Sequence, residues 1–312
     1  FKYALVAGYE NNAIIFTGVE PVDATLKIIG NIEYLLIKNG EAHVMRYVAG
    51  GVGAKNGEIT IPATVVGDDG AEYKVTRICK NSFFNKGNFS KMVLGENIEA
   101  IDYYSFIYST IDELVLSDKM EVVPDKAFET TKIKKLTIGK NVKRIGKRAF
   151  YGCTLSEVTS KSPAFEADDE AFFQSNPDCG EWLGCLTSIG YQTFAMAGFS
   201  KSPVFTNLER IGARAFSGVT FPEEVDGAVA VRQFHIKSKL KSIDPNAFYN
   251  TKLSIFKVDE SNPYFSTSNS SLYARSMLFN KNATKLVLTI NPEVTIGEES
   301  GYMTAFPQTI VK

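Results

Sequence analysis

From residue 75 to residue 260 the apolar positions return on a fixed beat. An Ile, Val or Ala is followed five residues later by a Phe, and the residue directly before each Phe is small. The pairs are Ile78/Phe83, Ile101/Phe106, Val123/Phe128, Ile145/Phe150, Ala167/Phe172, Ile189/Phe194, Ile211/Phe216 and Ile243/Phe248. Successive Phe lie 23, 22, 22, 22, 22, 22 and 32 residues apart. A unit of that length cannot bury its own apolar face and is read as one turn of a stacked array. The pattern therefore predicts a solenoid with the eight Phe as a buried column. Ser82, Ser105, Ala127, Ala149, Ala171, Thr193, Ala215 and Ala247 precede the Phe, which predicts close backbone packing there.

Counting forward from each Phe, apolar residues return at about five, eight and ten: Ile111, Leu114 and Leu116; Ile133, Leu136 and Ile138; Leu253, Phe256 and Val258. The last two of each trio alternate with polar residues, the period of a half-buried strand. Each coil is thus expected to give one strand to a parallel sheet. Another apolar residue three before the Ile or Val, as at Met120, Val142 and Leu208, leads into a tight turn at Gly146, Gly190 or Gly212.

The period divides the chain into an N-terminal β-rich cap region (1–74), a repeat solenoid (75–260) and a repeat-derived C-terminal cap (261–312). Terminal units of arrays are atypical because they must hide an open face. The glycine-rich run from Gly50 to Gly57 fits neither phosphate-loop template and reads as a hairpin. Between Phe172 and Phe216 the coil length holds while the strand positions decay. The ten extra residues before Phe248 hold Asp226-Gly227 ahead of alternating Val229 and Val231, a hairpin signal.

Charge narrows the partners. With 34 basic and 35 acidic residues among 312, and 44% hydrophobic residues, the chain has a large core and no net field to recruit nucleic acid. No apolar run is long enough to predict a transmembrane segment. The chain opens at Phe1 without Met, from which a removed leader segment is expected. Residues 130–156 carry eight bases and no acid. Moving 22 residues pairs Lys140 with Asp118, Lys143 with Glu121, Arg144 with Glu166, Lys147 with Asp125 and Asp169, and Arg148 with Glu170, so ion pairs between coils are expected instead of an anion site. One outward sheet row alternates in sign through Lys91, Glu113, Lys135 and Glu157. The next row, Val93, Val115, Thr137, Thr159 and Glu181, is small and low in charge, a flat candidate contact strip.

Cys79, Cys153, Cys179 and Cys185 lack metal-ligand spacing, and His43 and His235 lie far from them, so no metal or other cofactor is expected. Cys79 and Cys153 read as small buried hydrophobes. Cys179 and Cys185 flank Trp182 and are placed for a possible disulfide. Trp182, Tyr191 and Tyr249 are candidate platforms for sugar rings. Neither His stands in a nucleophile motif.

The repeat length, the I-G-x-x-A-F of Ile145–Phe150, and V-D-E-S-N-P-Y-F from Val258 to Phe265 followed by Ser271, Leu272 and Tyr273 resemble the BspA-like leucine-rich repeat proteins over residues 59 to about 290. The resemblance implies an α/β leucine-rich-repeat solenoid, β-rich, with a parallel sheet on one face, about eight 22–23-residue coils and a β-type N-terminal cap. It further implies a secreted or cell-surface bacterial protein without a catalytic motif. The function expected is a recognition or adhesion scaffold without catalysis, its partner a protein or glycan on a host or neighbouring cell surface. A carbohydrate-binding surface protein is the alternative, and a hydrolase comes last. Nothing in the pattern sets an oligomeric state.

Overall fold

Each repeat turns its corner on a tract of overlapping turns in which alternate amides have different destinations. In the coil of Phe128, the N–H groups of Ala127, Glu129 and Thr131 close local turns onto Pro124, Lys126 and Phe128 at 3.3, 3.4 and 2.9 Å. The N–H groups of Lys126, Phe128 and Thr130 instead donate to Lys147, Ala149 and Tyr151 of the next coil, at 2.9, 3.0 and 2.8 Å. This alternation needs left-handed backbone two residues before and two after the Phe, and Lys126 (φ 57) and Thr130 (φ 56) adopt it. Arg148 and Gly152, Glu170 and Gln174, Gln192 and Met196, and Arg214 and Gly218 do the same around their own Phe. Within each unit the residue before the Phe accepts from the Phe N–H of the preceding coil, as Ser105, Ala127 and Ala149 do in one and Thr193, Ala215 and Ala247 in the other, and Ala127, Ala149 and Ala215 are fully buried.

The structure, a computed structural model, describes residues 4–10, 13–20, 24–49, 55–226, 229–270, 275–280, 286–288 and 308–310. About eight turns of a β-solenoid are divided between two units, Phe1–Leu155 and Ser156–Lys312.

In the first unit Lys55–Thr60, Asn88–Val93, Thr110–Val115 and Lys132–Ile138 form a parallel sheet in chain order. Residues 55–60, placed by the period in the cap region, are thus a strand of the solenoid sheet. Gly50 to Ala54 lie outside the described residues. Antiparallel strands Ala24–Ile29, Ile32–Ile37 and Glu41–Tyr47 precede it, and Glu41–Tyr47 continues in parallel onto Glu72–Ile78. Phe83, Phe106, Phe128 and Phe150 stack at centroid distances of 5.1, 4.8 and 5.3 Å, with interplanar angles of 8, 14 and 2°. Tyr47 extends this column from the antiparallel strands, 5.7 Å from Phe83. Sequence reasoning missed it because it lies outside the period.

The repeat Ile or Val also lies on a strand, two residues long: Ala100–Ile101 pairs with Arg77–Ile78, and Val122–Val123 with Arg144–Ile145. Each such coil therefore has two strand pieces where one was expected. The α/β label is corrected to β. Among the described residues the helical structure is a single 3-10 turn, Glu181–Cys185, because hydrogen-bonded turns and short strands occupy the segment where other repeats of this class place a helix.

In the second unit Phe172, Phe194, Phe216 and Phe248 stack at 5.4, 5.9 and 5.2 Å. The short ladder runs through Phe165–Ala167, Leu186–Ile189, Arg210–Ile211 and Ser242–Ile243. The inserted residues form Glu223–Asp226, antiparallel to Val229–Ile236, which in turn pairs in parallel with Ile255–Val258. Gly227 of the expected hairpin turn lies outside the described residues, as do Ser271, Leu272 and Tyr273. Asn262 of the N-P-Y motif is buried. Its Nδ2 donates to the carbonyls of Lys237 and Leu240 at 2.7 and 3.0 Å, and its Oδ1 accepts from the N–H groups of Tyr264 and Phe265 at 2.8 Å each. The motif is a buried polar staple that satisfies four backbone groups.

Candidate recognition surfaces

The outward rows of the first unit's sheet are in register. Val93 faces Val115, and Val115 faces Thr137, with all three half-buried. Beside them Lys91 Nζ meets Glu113 at 2.6 Å, and on the next row outward Lys134 meets Asp112 at 2.7 Å. Lys143 meets Glu121 at 2.9 Å. In each pair acid and base lie 22 residues apart, one repeat along the chain.

Two other expected pairs form through a different atom. Asp118 Oδ1 accepts from the backbone N–H of Lys140 at 3.0 Å, and Asp125 Oδ1 from that of Lys147 at 2.9 Å. The carboxylates thus take up coil-edge amides. Arg148 grips Glu129 of the preceding coil at 2.6 Å. With acids interleaved this closely, the basic run does not stand alone as an anion site.

In the second unit Thr159 is exposed on the strand Glu157–Ser160. Glu181 is exposed but begins the 3-10 turn, so the small-residue row does not reach it as strand. Trp182 requires a correction: expected as an exposed platform, it is 2% exposed. Its ring lies 5.3 Å from Phe172 and 6.4 Å from Phe194, and its Nε1–H donates to Asp178 O and Oδ1 at 3.1 and 3.2 Å. Where the strand decays, this ring fills the core volume the strand residues would have occupied. Tyr191 is 39% exposed, and half-buried Tyr249 carries the Arg214 guanidinium over its ring at 5.0 Å.

The disulfide is also corrected, since Cys179 and Cys185 are free thiols. Cys179 Sγ–H donates to Lys201 O at 2.9 Å, a bond incompatible with a bridge. Burial raises the pKa of all four thiols, with Cys79 pushed up to about 12, leaving them protonated and weak as nucleophiles at neutral pH. Burial likewise lowers His43, with Arg77 adding to the shift, and lowers His235, with Lys237 and Lys257 adding. Among the described residues no group of three or more His, Cys, Asp or Glu is arranged to hold a metal. No helix among them is long and apolar enough to cross a membrane.

Sequence reasoning passed over one cluster. On the turn face of the first unit, Phe84 and Tyr108 form an edge-on pair with centroids 6.0 Å apart, and Tyr103 and Tyr104 another at 5.4 Å. Lys80 Nζ sits 4.2 Å over the Tyr103 ring, and Lys126 Nζ 5.5 Å over that of Tyr104. The available signal was the concentration of Tyr around Phe106.

The family described as the BspA type leucine-rich repeat region, in six copies, matches residues 71–178, 121–223 and 187–294. The chain belongs to this family of repeat proteins. No match was found among curated proteins. Among solved structures the chain is similar to the pneumococcal vaccine antigen PcpA, at 17% identity and TM-score 0.41, over 82% of this chain and 54% of that one. It is also similar to a leucine-rich cell surface protein from Faecalibacterium prausnitzii, at 16% identity and TM-score 0.41, over 86% and 61%. A leucine-rich repeat protein from Bacteroides ovatus matches at 12% identity and TM-score 0.31, over 78% and 76%. The chain spans 54% and 61% of the length of the first two.

Proposed function

We propose that this chain is a recognition scaffold of a bacterial surface or secreted protein, which binds a protein or glycan on another cell and carries out no chemistry of its own. The reading is supported by membership of the BspA-type repeat family. The observation that carries it is the in-register outward strip Val93, Val115 and Thr137 beside the paired Lys91 and Glu113. A parallel sheet held in register is stiff, and a rigid surface loses little conformational entropy on binding. Neutralised charges beside small half-apolar residues make a surface that a partner desolvates at low cost.

The test is binding of the purified chain to an array of host-matrix proteins, cell-surface proteins and glycans, in parallel with a Val93→Lys, Val115→Lys double variant. The reading predicts at least one saturable ligand, and loss of protein ligands in the variant at unchanged melting temperature. An array with no saturable ligand for the wild-type chain removes the proposal.

A further inference from the structure

The coil of Phe106 breaks the rule its neighbours follow. At the two left-handed positions flanking the buried Phe, the other coils carry Asn81 and Asn85, Lys126 and Thr130, Arg148 and Gly152, Glu170 and Gln174, Gln192 and Met196, or Arg214 and Gly218. In this coil both are aromatic: Tyr104 (φ 59) and Tyr108 (φ 60). A left-handed backbone costs a residue with a Cβ about 1–2 kcal/mol, and here the core recovers little of it. Tyr108 is 60% exposed and Tyr104 half-buried, and the rings that pair with them stand open too, Phe84 of the preceding coil at 45% and Tyr103 at 40%. Strain retained for exposed rings points to a use of the rings themselves.

The cations define the chemistry. Lys80 is only 7% exposed, and its ammonium donates to Tyr103 Oη at 2.7 Å, while Lys126 donates to Tyr104 Oη at 3.2 Å. Among the described residues neither ammonium lies within ion-pair distance of a carboxylate. The neighbouring acids are engaged elsewhere: Asp102 with Arg77 at 2.5 Å and with the backbone N–H of Lys80 at 3.2 Å, Asp125 with the Lys147 amide, and Glu129 with Arg148. Ring faces already holding cations disfavour a cationic ligand, and two lysine charges lacking carboxylates favour an anionic one. Four rings on two adjacent coils fall well short of the roughly 20–30 residues a side of a stable protein interface. From Lys80 through the rings to Lys126 the face crosses three coils, about 10 Å of the stack, the length of a short oligosaccharide.

We propose that this face, formed by Phe84, Tyr103, Tyr104, Tyr108, Lys80 and Lys126, binds an acidic glycan. A sugar ring stacks on Tyr108, and the glycan carboxylate is drawn by Lys126 and the buried charge of Lys80. The proposal rests on the recognition reading above and gives it a ligand class and a second surface.

Calorimetric titration of the full chain with sialyllactose, an oligogalacturonate and neutral lactose tests it. Both acidic probes should bind at least tenfold more tightly than lactose, and more weakly as salt rises. Tyr108→Asn places at that position the residue type Asn85 supplies one coil earlier, so the fold is retained. It should weaken the acidic probes at least tenfold, as should Lys126→Gln. Equal binding of acidic and neutral probes, acidic binding untouched by Tyr108→Asn, or no binding of any probe overturns the proposal. If no probe binds while the chain still captures a protein through the sheet strip, this inference falls and the recognition reading stands.

Discussion

Asp169 Oδ1 accepts a hydrogen bond from the backbone N–H of Tyr191, 22 residues further on, at 2.8 Å. Asp125 does the same for Lys147 and Asp118 for Lys140, and Asn176 Oδ1 does it for Gly198 at 2.9 Å. These side chains satisfy amides at coil corners where the strand ladder has stopped. Asp169→Ala is expected to cost about 1 kcal/mol, and Asp169→Asn, which keeps an acceptor oxygen, markedly less. Urea unfolding of the two variants checks this, and equal losses would show that charge and not the hydrogen bond is at work.

The left-handed positions give a second pair of variants. Gly152 (φ 68) has nothing nearer to an added Cβ than Thr130 Cγ2 at 3.9 Å, so Gly152→Ala isolates the backbone cost. It should destabilise by about 1 kcal/mol. Thr130 is β-branched and held at φ 56, so Thr130→Gly should stabilise by up to about 1 kcal/mol. Melting temperatures moving in opposite directions are the expected result.

The free thiols can be counted. Ellman titration of the chain unfolded without reductant should return all four cysteines, and the folded chain should react slowly, since burial keeps the thiols protonated. A return of two would restore a bridge.

Acid should loosen the fold before the carboxylates titrate. Burial holds His43 and His235 below their ordinary value of 6.5. As pH falls the unfolded chain takes up these protons first, so the stability contributed by the neutral rings is full above 6.5 and drains away towards their folded values. Glu209 and Glu224 are also lowered, from 4.5, and their contribution is lost only at and below that value. The urea midpoint should therefore drop between pH 7.5 and 5.5, and a His43→Gln, His235→Gln variant should show a flatter profile in that window.

The period made the Phe column and the long strands legible, because Phe128, Ile133 and Leu136 repeat in type as well as place. The second ladder was hidden, since a piece as short as Arg144–Ile145 has no alternation to detect. Trp182 misled because an aromatic outside the period gives no sign of which way it points, and the missing strand beside it turned it inward. Asp118 and Asp125 were matched to the right residues and the wrong atoms, since sequence pairs charges while the fold first has to satisfy corner amides. The Tyr104 and Tyr108 face stayed invisible until the backbone conformation at those positions was known.

The most direct measurement is a pair of deletions read by cooperative urea unfolding. Removing residues 118–139 takes out one period and joins Ser117 to Lys140, a residue that occupies the place of Asp118 one coil on. Such a chain should still unfold cooperatively with a strand-type circular dichroism spectrum, whereas removing residues 118–128 alone puts every later coil out of phase and should abolish the transition. Equal damage from both deletions would contradict the stacking of residues one repeat apart, and with it the surfaces built on that stacking.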